Sequence, residues 1–82
     1  MKHDNYCYRG NWYNGKPQGS GREEYGQGRF YVGEFKNGVK DGRGNYIDSK
    51  IKEEYEGHFK DGFMDGQGRY HVNDSLVYEG QF

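Results

Sequence analysis

Eighty-two residues are enough for one small domain or a short repeat array, but not for two independent domains. Twelve Lys and Arg against 13 Asp and Glu leave a net charge of −1, which argues against broad attraction to nucleic acid or anionic lipid. With 15 Gly, 9 Tyr, no Ala and a single Leu, the composition excludes a helical bundle, since each Gly in a helix costs about 1 kcal/mol against Ala.

Ile, Leu, Val and Phe together number only 12, as in a disordered chain, yet disorder goes with high net charge and few aromatics, and here 18% of residues are aromatic. What remains is an all-β chain whose apolar surface comes from rings. No apolar run approaches the roughly 18 residues of a membrane helix, and Met1-Lys2-His3-Asp4-Asn5 has none of the apolar core of a signal peptide. Cys7 stands alone, so no internal disulfide framework is expected and the expected setting is cytoplasmic. Asn73-Asp74-Ser75 fits a glycosylation acceptor, but without a secretory signal it reads as chance.

In chain order, the first element opens at Tyr8-Arg9-Gly10-Asn11-Trp12. The same pattern returns at Tyr31-Val32-Gly33-Glu34-Phe35, at Tyr55-Glu56-Gly57-His58-Phe59 and at Tyr78-Glu79-Gly80-Gln81-Phe82. The tyrosines are spaced 23, 24 and 23 residues apart. Asn14-Gly15, Asn37-Gly38 and Asp61-Gly62 follow the first three, and the glycine pairs Gly19/Gly21, Gly42/Gly44 and Gly66/Gly68 come next. Thirteen of the 15 glycines hold this phase, which a low-complexity tract would not keep.

Asn-Gly or Asp-Gly between two alternating runs predicts a β-hairpin with a type I′ turn. Pairing outward from a two-residue turn sets Tyr8 opposite Gly21 and Gly10 opposite Gly19. It also sets Tyr31 opposite Gly44, Gly33 opposite Gly42, Tyr55 opposite Gly68 and Gly57 opposite Gly66. Alternation then gathers Tyr8, Gly10, Trp12, Gly19 and Gly21 on one face, with rings over glycine rows that compensate their weak strand propensity. Arg9, Asn11, Val32, Glu34, Arg43, Asn45, Glu56, His58, Gln67 and Arg69 form the other, polar face. Tyr46 and Tyr70 continue the ring stripe. The first unit carries Glu23 there and Tyr25 two residues later, so its second strand is expected to be longer or bulged. Residues 24–29, 48–54 and 71–76 read as polar linkers between hairpins. Their acidic pairs, Glu23-Glu24 and Glu53-Glu54, are expected to face water.

The consensus Tyr-x-Gly-x-(Trp/Phe)-x-(Asn/Asp)-Gly-x-x-x-Gly-x-Gly-x-Tyr resembles the MORN repeat, the membrane occupation and recognition nexus motif. The resemblance runs from Tyr8 to Phe82 as three full repeats (8–30, 31–54 and 55–77) and the opening strand of a fourth (78–82). It implies an elongated single-layer antiparallel sheet of consecutive hairpins, curved into an open trough lined by the ring and glycine positions. Such arrays occur in cytoskeletal and ciliary scaffolds, in junctional membrane proteins, and beside the catalytic domains of phosphoinositide kinases and a histone methyltransferase.

Catalytic and metal chemistry find no footing in the sequence. Gly42-x-Gly44 and Gly66-x-Gly68 lack a third glycine and a following helix, so they do not read as phosphate loops. His3, His58 and His71 have no metal-ligand spacing, and Cys7 has no partner histidine. No cofactor is expected, and the glycines in phase (Gly10, Gly15, Gly19, Gly21, Gly33, Gly38, Gly42, Gly44, Gly57, Gly62, Gly66, Gly68 and Gly80) are structural.

The candidate binding residues are the rings Tyr6, Tyr8, Trp12, Tyr31, Phe35, Tyr46, Tyr55, Phe59, Tyr70, Tyr78 and Phe82, together with the hairpin-tip pair Phe63-Met64. Most of the rings are expected to be mainly structural, with a subset meeting a partner, and for the tip pair packing on a neighbouring hairpin competes with anchoring a partner. A single-layer sheet leaves part of its ring face uncovered, and exposed aromatic patches mark interaction sites. The expected function is a non-catalytic scaffold in a cytoskeletal or ciliary assembly, taking a peptide or helix in the trough or a strand at the C-terminal edge. Two alternatives are a phosphoinositide-binding module and a regulatory appendage of an enzyme encoded beyond residue 82. The first is weakened because the bases are interleaved with acids, as in Lys50-Ile51-Lys52-Glu53-Glu54, rather than clustered.

Overall fold

A computed structural model describes residues 6–82. Seven strands follow one another: β1 (Cys7–Tyr13), β2 (Lys16–Gly26), β3 (Arg29–Lys36), β4 (Val39–Asp48), β5 (Glu53–Lys60), β6 (Phe63–Val72) and β7 (Ser75–Gln81). They pair only with their neighbours in sequence, all antiparallel, in one sheet ordered β1 to β7. The sheet measures 37 × 32 × 16 Å, deeper than a flat single layer, because it curls around its ring face.

The turns close as their chemistry demands. Asn14-Gly15, Asn37-Gly38 and Asp61-Gly62 all have φ between 51° and 90°, the left-handed region that a type I′ turn needs at both central positions. Residues beside the turns pair as expected, Tyr13 with Lys16 and Trp12 with Pro17.

Farther from the turn the register differs from the sequence expectation by two residues. Gly10 faces Gly21, Gly33 faces Gly44 and Gly57 faces Gly68, while Tyr8, Tyr31 and Tyr55 face Glu23, Tyr46 and Tyr70. The cause is a bulge repeated in each hairpin: Gln18-Gly19-Ser20 spans the length of Asn11 alone, as do Asp41-Gly42-Arg43 for Glu34 and Asp65-Gly66-Gln67 for His58. A two-residue shift preserves face parity, so the rings still lie over Gly21, Gly44 and Gly68. Gly19, Gly42 and Gly66 do not lie beneath rings. They carry the bulge at φ of 88° to 104°, and a Cβ on each would meet Asn11, Glu34 or His58 on the opposite face.

The linkers expected at 24–29, 48–54 and 71–76 are mostly strand. Gln27-Gly28 and Asn73-Asp74 are themselves two-residue turns with positive φ, and only residues 49–52 make a longer connection. Every consecutive strand pair is therefore a hairpin. Turns on the same rim are also tied together, with Gly38 N donating to Pro17 O at 3.0 Å, Gly62 N to Lys40 O at 2.8 Å and Ser49 N to Gly28 O at 2.9 Å. As expected, β2 is the longest strand, and its pairing with β3 is irregular at Tyr25.

Tyr31, Phe35, Tyr55 and Phe59 form the buried core, on the ring face of β3 and β5. The other face is not uniformly polar. Phe30 and Ile47 pair there, both half-buried, and the Arg22 guanidinium lies 4.1 Å from the Phe30 ring centre.

Candidate binding trough

The motif residues build one continuous ladder. Trp12, Tyr8, Phe35, Tyr31, Phe59, Tyr55, Phe82 and Tyr78 contact one another in that order, centroids 4.6–5.2 Å apart and planes 81–89° from parallel. Edge-to-face contact sets the positive rim of one ring on the negative face of the next, worth about 0.5–1.5 kcal/mol per pair beyond burial. The spacing of four residues between Tyr and Phe in each odd strand brings the Phe of one hairpin against the Tyr of the hairpin before it.

Each repeat tyrosine lies along its own strand, and its hydroxyl donates to a carbonyl three residues on: Tyr8 to Asn11, Tyr31 to Glu34, Tyr55 to His58 and Tyr78 to Gln81. In the first three hairpins that carbonyl belongs to the residue at the bulge, where the regular ladder is interrupted, so the ring covers the glycine pair and its oxygen serves the interruption. Burial pushes the Tyr31 phenol up to about 12.

A second row of tyrosines runs beside the ladder on the same face. Tyr25 lies between Tyr6 and Tyr46 with tilted rings 6.2 Å apart on either side, and Tyr70 stands beyond Tyr46. Within this row the structure corrects the reading of the acidic pairs. Glu23 lies inside β2, is 7% exposed, and accepts hydrogen bonds from Tyr6 and Tyr25, each 2.5 Å long. Lys40 Nζ sits 3.9 Å from the same carboxylate and donates to the Tyr25 hydroxyl at 3.1 Å. Burial, followed by the bond to Glu23, pushes the Tyr6 phenol up to about 12 and the Tyr25 phenol higher still. Glu53 begins β5 and accepts a hydrogen bond from Tyr70, which raises that phenol above its ordinary value. Both carboxylates were legible in principle: parity from the repeat tyrosines puts Glu23 and Glu53 on the ring face. Glu24 and Glu54 occupy the other face, half-buried, where they meet Arg22 at 2.8 Å and Asn45 at 3.0 Å.

The trough therefore has two unlike halves. Over β2–β4 its surface is closed by the Lys40–Glu23–Tyr25 network. Over β4–β7 a cleft of about 350 Å³ opens between Tyr46, Glu53, Tyr55, Met64, Tyr70 and Phe82. It continues into a second of about 200 Å³ beside Lys40, Phe59, Phe63 and Met64. Of the rings singled out in the sequence, Tyr31, Phe35, Tyr55 and Phe59 are core, Trp12, Tyr78 and Phe82 are exposed at the ends of the ladder, and Tyr46 and Tyr70 wall the cleft. Phe63 is 74% and Met64 49% exposed.

Among the described residues, no group of three His, Cys, Asp or Glu comes together to hold a metal. His58 and Cys7 lie half-buried on the face opposite the rings, and His3 lies outside the described residues. No described helix is long and apolar enough to cross a membrane.

The MORN-repeat family model matches residues 8–28, 31–50 and 55–75, covering each hairpin with its ring and glycine positions. The chain belongs to the MORN-repeat family. MORN repeats serve generally as modules that bind proteins or membrane lipids rather than as catalysts. Similar curated proteins include alsin of Homo sapiens and alsin of Rattus norvegicus, each 46% identical over 39 residues. That match covers 48% of this MORN chain and 2% of each alsin, so the likeness is one of repeats.

Proposed function

We propose that this MORN array is a non-catalytic docking module that holds a segment of another protein in the C-terminal half of its trough. The observation that carries the reading is the open cleft between Tyr46, Tyr70, Met64 and Phe82, on a face whose N-terminal half is already covered by Lys40. A rigid sheet with an unfilled, ring-walled groove suits an extended or helical segment, whose ordering cost is offset by burying apolar side chains. A cytoplasmic scaffold within a cytoskeletal or ciliary assembly is the setting that the family resemblance suggests for such a module.

A lipid role has less support. Arg22 and Arg69 are engaged by Glu24 and Glu79 at 2.8 and 3.0 Å, and Lys40 is turned inward to Glu23. A membrane surface calls for a cluster of about 4–8 basic residues on one side.

The test is capture of binding proteins from native extract with the chain and with a Phe63→Ser, Met64→Ser double variant. Both positions are exposed enough that stability is expected to change by no more than about 0.5 kcal/mol each. A protein retained by the chain and lost with the variant, at an unchanged melting temperature, supports docking in the trough. Equal retention by both sinks it.

A further inference from the structure

Repeat two and repeat three build the same part of the trough from equivalent positions, and the differences between them point to a ligand. In repeat two, Lys40 stands opposite Phe35 on the ring face and reaches across the sheet. Its Nζ lies 5.4 and 5.6 Å from the centroids of Tyr25 and Tyr31, 3.9 Å from Glu23, and donates to the Tyr25 hydroxyl. This is a cation held between ring faces and a carboxylate, supplied by the chain itself.

One repeat later, Met64 occupies the position of Lys40, opposite Phe59. Tyr55, Tyr70 and Phe82 stand where repeat two has Tyr31, Tyr46 and Phe59, while Tyr46 takes the place of Glu23 and Asp48 that of Tyr25. The carboxylate has not been lost but moved. Glu53, two residues before Tyr55, stands where repeat two has Arg29, and it enters the same cleft held by the Tyr70 hydroxyl. Among the described residues no Lys, Arg or His lines the cleft and no ion pair reaches Glu53, while Lys40, beside the adjoining pocket, is turned to Glu23 and Tyr25. Repeat three thus has ring walls and an acid, the elements of a cation site, and lacks the cation.

We infer that the cleft between Tyr46, Glu53, Tyr55, Met64, Tyr70 and Phe82 is a binding site for an arginine side chain of a partner protein. A guanidinium is planar and weakly hydrated, so it stacks on ring faces and enters an apolar-walled cleft more readily than an ammonium does. Its fork of donors meets a carboxylate in two hydrogen bonds, and the Tyr70 hydroxyl already holds Glu53 in place to receive them. This assignment rests on the docking reading above and names the chemistry of what docks.

The experiment is a nuclear magnetic resonance titration of the isotope-labelled chain with three short capped peptides carrying arginine, lysine or glutamine between glycines. The arginine peptide is expected to shift the signals of Glu53, Tyr55 and Tyr70 saturably, the lysine peptide less, and the glutamine peptide not at all. Glu53→Gln should weaken arginine binding by about tenfold, the worth of a charge-assisted pair in a partly covered site. Met64→Lys should abolish the response by supplying the internal cation that repeat two already has. Both variants are read only with a well-dispersed spectrum matching the parent fold. Lysine binding as tightly as arginine, a response to glutamine equal to that of arginine, or an undiminished titration in Met64→Lys overturns the assignment. If arginine fails while the Phe63→Ser, Met64→Ser variant still loses its captured protein, the docking reading stands and only the chemistry of the ligand is wrong.

Discussion

At the scale of single residues, the repeat tyrosine does two jobs with one side chain. The ring covers a glycine pair that has no side chains of its own, and the hydroxyl serves a carbonyl at the bulge. In Tyr31 both are fully enclosed, with 0% exposure. The phenols of Tyr6, Tyr25, Tyr31 and Tyr55 are raised above 10.0 chiefly by burial, and that of Tyr70 chiefly by its hydrogen bond to Glu53. A group held neutral in this way contributes its stability in full below the ordinary phenol value. The contribution is lost as pH climbs toward the folded value of about 12 for Tyr31, because the unfolded chain gives up its protons first. The unfolding free energy should therefore be level to about pH 10 and then fall, by up to about 1.4 kcal/mol per pH unit for the enclosed Tyr31. Chemical denaturation across that range checks it, and a midpoint still level at the alkaline end would contradict it. The tyrosines' face was legible from parity alone. The partners of their hydroxyls were not, because they depend on where the bulge falls.

At the scale of the hairpin, the turn and the bulge make different demands on glycine. Around Gly15 a Cβ would find open space, so Gly15→Ala costs only what φ of 77° imposes, about 1 kcal/mol. A Cβ on Gly33 would lie 2.5 Å from both Arg43 O and Gly44 Cα and 2.6 Å from the Tyr31 hydroxyl, against backbone that cannot retreat without breaking the pair. Gly33→Ala should cost more than about 3 kcal/mol, at the upper end of overpacking. Urea denaturation of the two variants decides this, and equal losses would show that the ring does not press the glycine pair. From sequence, the Asn-Gly and Asp-Gly turns were read correctly, while Gln27-Gly28 and Asn73-Asp74 passed for linkers. Asn73-Asp74 has no glycine at all, yet both residues sit at positive φ, which Asn and Asp tolerate better than other side chains.

At the scale of the whole molecule, the strong contacts between elements all join strands adjacent in sequence, so the fold is a one-dimensional array. Its buried side chains are concentrated in β3 and β5, and the ladder's end rings Trp12 and Tyr78 are exposed. Amide hydrogen exchange should show the greatest protection in β3–β5 and progressively less toward β1 and β7, since outer strands open without disturbing the core. Uniform protection from edge to edge would mean that the sheet opens only as a unit.

The repeat period, the hairpin turns and the division of side chains between two faces were determined by the sequence alone, because each follows from a spacing of two along a strand and from the φ that a turn residue tolerates. Tertiary structure alone decided the register past the turn, where a three-for-one bulge moves every pairing by two residues without disturbing the faces. It also decided what the trough holds. Parity sets Glu23 and Glu53 on the ring face, but only the assembled sheet brings Lys40 of β4 to Glu23 and Tyr25 of β2, and Glu53 of β5 to Tyr70 of β6.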